Sequence, residues 1–235
     1  MKEIQIFKDL LKRKIIDLSR NFVRLKTPMD MIILTLKAYG IFPSPLVALD
    51  LFGRYGLWVT VDYAPFCDYL EMWEINPKYA KFAHRFLPKA VVNVGDSIKA
   101  VKAGQLQRRD YNFIVIDNPI GGVFDERKGY CEHFDLFPEI FNYIENKRTI
   151  LVMNSIIDVG KIIEKYPAIS FQLDDWLKRR KKFFNKDINV KKINPDILEE
   201  IYENKFKNWG VKVNRIFFIP RDPAIGFLVI EVEKK

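Results

Sequence analysis

Cysteine and histidine are scarce: Cys67, Cys131, His84 and His133 are the full complement in 235 residues. Neither thiol has a second thiol or a histidine at metal-ligand spacing, so no disulfide framework is signalled and no metal site is expected. A reducing compartment fits. Long apolar runs are missing as well. No uncharged stretch reaches the roughly eighteen residues a membrane span takes, and Lys2, Glu3, Lys8 and Asp9 stand where a signal peptide carries its apolar segment. The expected setting is cytoplasmic, with no membrane span. The chain also has no G-x-G-x-x-G string, which argues against the pyrophosphate cradle of a dinucleotide enzyme.

Hydrophobic residues make up 49% of the chain, enough to fill the core of one sizeable α/β domain. The formal net charge is +9, and its distribution is uneven. From Met1 to Lys26, eight Lys and Arg residues stand against three acids, and a second basic cluster runs Lys178-Arg179-Arg180-Lys181-Lys182. Such clusters meet phosphates or an anionic surface, or they form solvated helix faces; both readings stay open.

The stretch Val47 to Gly56, VALDLFGRYG, organises the rest. It reads as a short buried strand ending in Asp50, then a glycine-punctuated turn and a helix over LWVTVDYA (57–64). In open α/β sheets that strand end is where a nucleotide-like ligand sits. Upstream, Ile4, Phe7, Leu11, Ile15, Leu18 and Phe22 recur at helical steps, an amphipathic helix that packs on the core, caps the site or supports a homo-oligomer contact. Thr27-Pro28-Met29-Asp30 starts a second helix, closed by Gly40. Downstream come strands over 70–75, 91–94, 112–116 and 149–153. The helices between them start at Asn76-Pro77, with Tyr79, Phe82, Ala83 and Phe86 facing inward, at Gly95-Asp96-Ser97, and over about 134–145. This alternation predicts a doubly wound, mostly parallel sheet. Later segments predict helices over 159–165 and from Asn194 to about Trp209. Two strands, 211–219 and 226–232, then form an antiparallel hairpin around Pro220-Arg221-Asp222-Pro223, completing seven strands with helices on both faces. The expected division is a helical extension over 1–44 and an α/β domain over 45–235, with a basic helical insertion at about 170–193.

Acids end the first, second and fourth strands (Asp50, Glu74, Asp117), and Asp96 follows the third. Glu74 lies 24 positions after Asp50, and a carboxylate there can take both hydroxyls of a ribose diol. With the C-terminal hairpin, this order resembles the class I S-adenosylmethionine-dependent methyltransferases over about Pro45 to Glu233. The resemblance implies S-adenosyl-L-methionine as cofactor. It implies that Asp50, Gly53 and Gly56 form the cofactor turn, that Glu74 holds the ribose, and that Asp96 with Ser97 holds the adenine. It also sets Asp117, Asn118 and Pro119 beside the reactive methyl. Phe52 and Arg54 stand where that family often has glycine, and Ile120 and Gly121 replace the proline and aromatic of the family's amine-methylating motif.

The loop GGVFDERKGYCEHF (121–134) leaves the fourth strand at the same edge. His133 is the candidate general base, because histidine titrates near neutrality, or else it caps the next helix. Tyr130 and Asp117 complete the expected catalytic set. Three functions compete. The first is methyl transfer to an oxygen or nitrogen of a small molecule or glycan. The second is methylation of a nucleic acid held by the basic segments, and the third is a non-catalytic module that keeps the fold.

Overall fold

The computed structural model describes residues 27–117, 133–145, 148–165, 167, 173–184 and 188–234. The expected N-terminal helix over 4–23 and most of the 121–134 loop, with Asn118, Pro119 and Tyr130, lie outside these residues. In chain order the elements are α1 (Pro28–Ala38), β1 (Val47–Asp50), α2 (Thr60–Tyr63), β2 (Tyr69–Glu74), α3 (Pro77–Phe86), β3 (Val91–Val94), α4 (Ser97–Lys102) and β4 (Phe113–Ile116). Two 3₁₀ turns follow at His133–Leu136 and Glu139–Tyr143. After them come β5 (Thr149–Ile156), α5 (Val159–Lys165), α6 (Leu173–Phe184), α7 (Pro195–Asn208), β6 (Val211–Pro220) and β7 (Ile225–Lys234).

The seven strands form one sheet in the order β3-β2-β1-β4-β5-β7-β6. The first five run parallel, while β7 pairs antiparallel with both β5 and β6. Because side chains alternate across a strand, each central strand feeds two cores. Leu49, Ile114, Ile116, Leu151, Met153 and Ile230 face a layer built from α4, the 3₁₀ turns and α7. Ala48, Phe113, Val115, Ile150, Val152 and Val229 face α1 and the residues around α2 and α3. Burial on both faces explains the unbroken apolar runs of β4 and β5.

Local chemistry sets the helix starts. Thr27 caps α1 with a reciprocal capping box: its hydroxyl accepts the Asp30 N–H at 3.0 Å and the Asp30 carboxylate accepts the Thr27 N–H at 2.8 Å. Asn76 and Asn194 cap α3 and α7 ahead of prolines in the first turn. Helix α1, which lies in the helical extension expected over 1–44, packs into the same core as β1 and β4.

Four expectations change. The helix expected over 57–64 is one turn, Thr60–Tyr63, since the β-branched run Val59-Thr60-Val61 lowers helix propensity there. The helix expected over 134–145 is two 3₁₀ turns, because Pro138 brings no N–H to an α-helical ladder. On α3 only Ala80 and Ala83 are buried, whereas Phe86 is 44% exposed. Finally, the basic cluster is not one solvated face, since Arg180 is buried and its Nη2 donates to the Ile156 carbonyl at the end of β5.

Candidate active site at the carboxyl edge of the sheet

The parallel strands β1, β2, β3 and β4 end at one edge, and backbone hydrogen bonds stitch those ends together. The Gly53 N–H donates to the Trp73 carbonyl at 3.1 Å, the Gly95 N–H to the Glu74 carbonyl at 3.0 Å, and the Leu51 N–H to the Val115 carbonyl at 3.1 Å. The four acids singled out in the sequence therefore stand along one rim.

Asp50 is buried at the end of β1. Its Oδ2 accepts from the Thr60 hydroxyl at 2.6 Å and the Tyr63 hydroxyl at 2.7 Å, and its Oδ1 accepts the Phe52 N–H at 3.1 Å. Desolvation pushes its pKa up to about 6 against those donors, and the nearby charge of Asp117 adds to the rise. The glycines of the following turn are fixed by packing. A Cβ on Gly53 would come within 2.2 Å of the Met72 side chain, and Gly56, at φ +76°, packs against Leu87. Arg54 also takes a left-handed conformation, φ +48°, at a cost on the order of 1–3 kcal/mol. Its guanidinium lies 5.4 Å from the centre of the Trp58 ring.

Glu74 is buried at the end of β2, where its Oε1 accepts the Asn76 N–H at 2.7 Å. Asp96 caps α4, its Oδ1 accepting from the Ile98 N–H at 3.0 Å and the Lys99 N–H at 3.2 Å, and Ser97 is buried behind it. Both carboxylates thus support a turn.

Asp117 directly follows β4 and sits in a cluster that sequence reasoning missed. Its Oδ1 accepts from the Asn154 amide of β5 and, at 3.2 Å, from Nη1 of Arg221 in the β6–β7 turn. The Arg221 guanidinium also lies 5.8 Å from the centre of the Trp58 ring. Asn154 is buried, and its carbonyl oxygen has no hydrogen-bond partner among the described residues. Turning the amide round would bring that oxygen against the Asp117 carboxylate, so the observed orientation is the favourable one. The only early sign of this cluster is the polar pair Asn154-Ser155 ending an apolar strand.

His133 stands elsewhere. It is buried, it shares a hydrogen bond through Nε2 with the Tyr202 hydroxyl, and its ring packs edge-on against Phe134, Phe137 and Phe183. Desolvation, aided by the Arg180 charge, lowers its pKa to about 3. The general-base expectation rested on titration near neutrality, whereas the ring is buried and its protonated form disfavoured. Among the described residues no group of three His, Cys, Asp or Glu side chains can hold a metal ion, and no helix is long and apolar enough to cross a membrane.

No protein-family model matches the chain, and no curated protein matches it by sequence. Solved structures do. Trm1 from Pyrococcus horikoshii, in complex with S-adenosyl-L-methionine, superposes with a TM-score of 0.59 at 12% identity, over 89% of this chain and 56% of that one. A candidate RNA methyltransferase from the same organism gives 0.50 at 10% identity, over 88% and 81%. The fold is that of the class I methyltransferases. The present chain thus spans a little over half the length of Trm1.

Proposed function

We propose that this chain is an S-adenosylmethionine-dependent methyltransferase working at the carboxyl rim of β1 to β4. The observation that carries the reading is the buried, partnerless carbonyl oxygen of Asn154 beside the Asp117 carboxylate, at the strand end where this fold presents ligands. Two hydrogen-bond acceptors side by side suit a donor-bearing group, such as an amine or hydroxyl about to be methylated. The residues present suit the cofactor: Glu74 ends β2 for a ribose, Asp96 follows β3 for an adenine, and the Gly53–Gly56 turn is bonded to the end of β2.

Bound there, S-adenosylmethionine supplies an electrophilic methyl on a sulfonium. Methyl transfer needs the acceptor lone pair held in line with that methyl. Asp117 and Asn154 orient the acceptor through its N–H or O–H, and the Asp117 carboxylate takes up the proton that the acceptor loses. Arg221 helps to aim the Asp117 carboxylate through its Nη1, 3.2 Å from Oδ1.

Calorimetric titration with S-adenosylhomocysteine tests the cofactor part. Binding that Glu74→Ala and Asp96→Ala each weaken about tenfold or more, with the fold intact by circular dichroism, supports the reading. Absence of binding to the wild-type chain overturns it and leaves the non-catalytic scaffold.

A further inference from the structure

Trp58 is a large apolar side chain left 42% exposed on the turn after β1, at the same rim as Asp117. Its indole N–H donates to the Tyr55 hydroxyl at 2.5 Å, which fixes the ring. Two guanidiniums from distant parts of the chain come within 6 Å of its centre, Arg54 at 5.4 Å and Arg221 at 5.8 Å. With both in place the residue still presents much of its surface to solvent. A fixed aromatic flanked by cations suits a flat, anionic partner.

Helix α6 extends that charge. Trp176 packs with Ile156, Val159 and Ala224, so the helix lies against the carboxyl end of β5 and the turn that carries Arg221. Its outer side exposes Lys178, Lys181 and Lys182, and Lys191 and Lys192 are exposed where the chain returns to the end of β5. The rim therefore has an exposed aromatic close to Asp117, and the elements packed against the end of β5 add exposed lysines. A small metabolite needs no such lysines. A single-stranded polyanion with separately stackable bases uses both parts.

We propose that the acceptor is a single-stranded nucleic acid, with one base stacked on Trp58 between Arg54 and Arg221 and its phosphates lying along the lysines of α6 and the 191–192 turn. The assignment rests on the methyltransferase reading for its purpose, but the binding itself needs no cofactor.

The test is fluorescence anisotropy of the full chain with a labelled 20-residue oligouridylate, without cofactor, over a series of salt concentrations. Wild-type binding is expected to weaken steeply with salt. Trp58→Ala is expected to weaken binding about tenfold at every salt concentration, with Trp58→Phe restoring most of it. Lys181→Gln with Lys182→Gln is expected to flatten the salt slope by about two contacts and leave the response to Trp58→Ala intact. A Trp58→Ala variant that binds as tightly as wild type overturns the proposal. So does binding that phosphatidylserine vesicles displace from wild type and Trp58→Ala alike, which would assign the basic surface to a membrane. Oligonucleotide binding that depends on Trp58, together with no calorimetric response to S-adenosylhomocysteine, would uphold the nucleic-acid surface while overturning the enzymatic reading and, with it, the acceptor role.

Discussion

Two buried polar clusters lie in the same sheet, one around Glu71 in the middle of β2 and one around Asp117 and Asn154 at the rim. Glu71 is saturated. It accepts from the Tyr111 hydroxyl, from the Trp73 indole at 2.7 Å, from the Gln107 N–H at 3.2 Å, from the Asn93 amide at 3.3 Å and from the Tyr69 hydroxyl at 3.3 Å. Burial and this carboxylate push the Tyr111 hydroxyl well above its ordinary pKa, so it remains a donor at any ordinary pH. Asn154 by contrast keeps a buried acceptor with no donor among the described residues. A satisfied buried network stabilises a fold, whereas an orphaned group costs free energy unless something else binds it.

The contrast breaks first at Glu71. Glu71→Ala strands the donors of Tyr111 and Trp73 in the interior. We expect it to destabilise the protein by about 3–5 kcal/mol, read as a fall in the urea midpoint with unchanged slope. A loss below about 1 kcal/mol would mean that water replaces the carboxylate and that saturation is not what distinguishes the two clusters.

Asp50 lies between the extremes. Its three donors are in place, yet burial beside Asp117 raises its pKa from 3.8 to about 6. A carboxyl that binds its proton more tightly in the folded state stabilises the fold at low pH. That contribution falls as pH rises from about 4 through about 6, by at most about 3 kcal/mol. Asp50→Asn keeps an oxygen for Thr60 and Tyr63 without the titration. Wild type is therefore expected to lose stability relative to Asp50→Asn across that window, measured by urea unfolding at stepped pH. Parallel pH profiles would show that the donors fully offset burial.

The same clusters show which parts of the molecule were legible beforehand. Asp50, Glu74, Asp96 and Asp117 could be read because each follows a short apolar run, and a strand end is a local property of sequence. The mostly parallel sheet and the hairpin followed from the alternation of such runs. Glu71 was hidden in LEMWEI, where one acid in a strand gives no sign of five donors converging from β2, β3 and the 107–111 turn. Asn154 meets Asp117 because β5 pairs with β4, and Arg221 reaches it because β7 pairs with β5, across 37 and 104 positions of sequence respectively. His133 could be read only as a residue type, because the burial among aromatic rings that lowers its pKa has no local signature.

The smallest expected effect decides the comparison most sharply. Asn154→Leu removes the orphaned carbonyl at the loss of one hydrogen bond, to Asp117. Exchanging a poorly paired polar group for an apolar one of similar size is near neutral or stabilising, so stability should stay within about 1 kcal/mol of wild type or rise. On the methyltransferase reading, turnover should fall about tenfold to a hundredfold while affinity for S-adenosylhomocysteine changes less than about twofold, since the lost acceptor orients the group being methylated. A chain that becomes steadier and slower together is the expected mark of a binding site held open at the expense of the fold. If Asn154→Leu instead costs as much stability as Glu71→Ala, the amide belongs to the scaffold, and the two clusters differ in position alone.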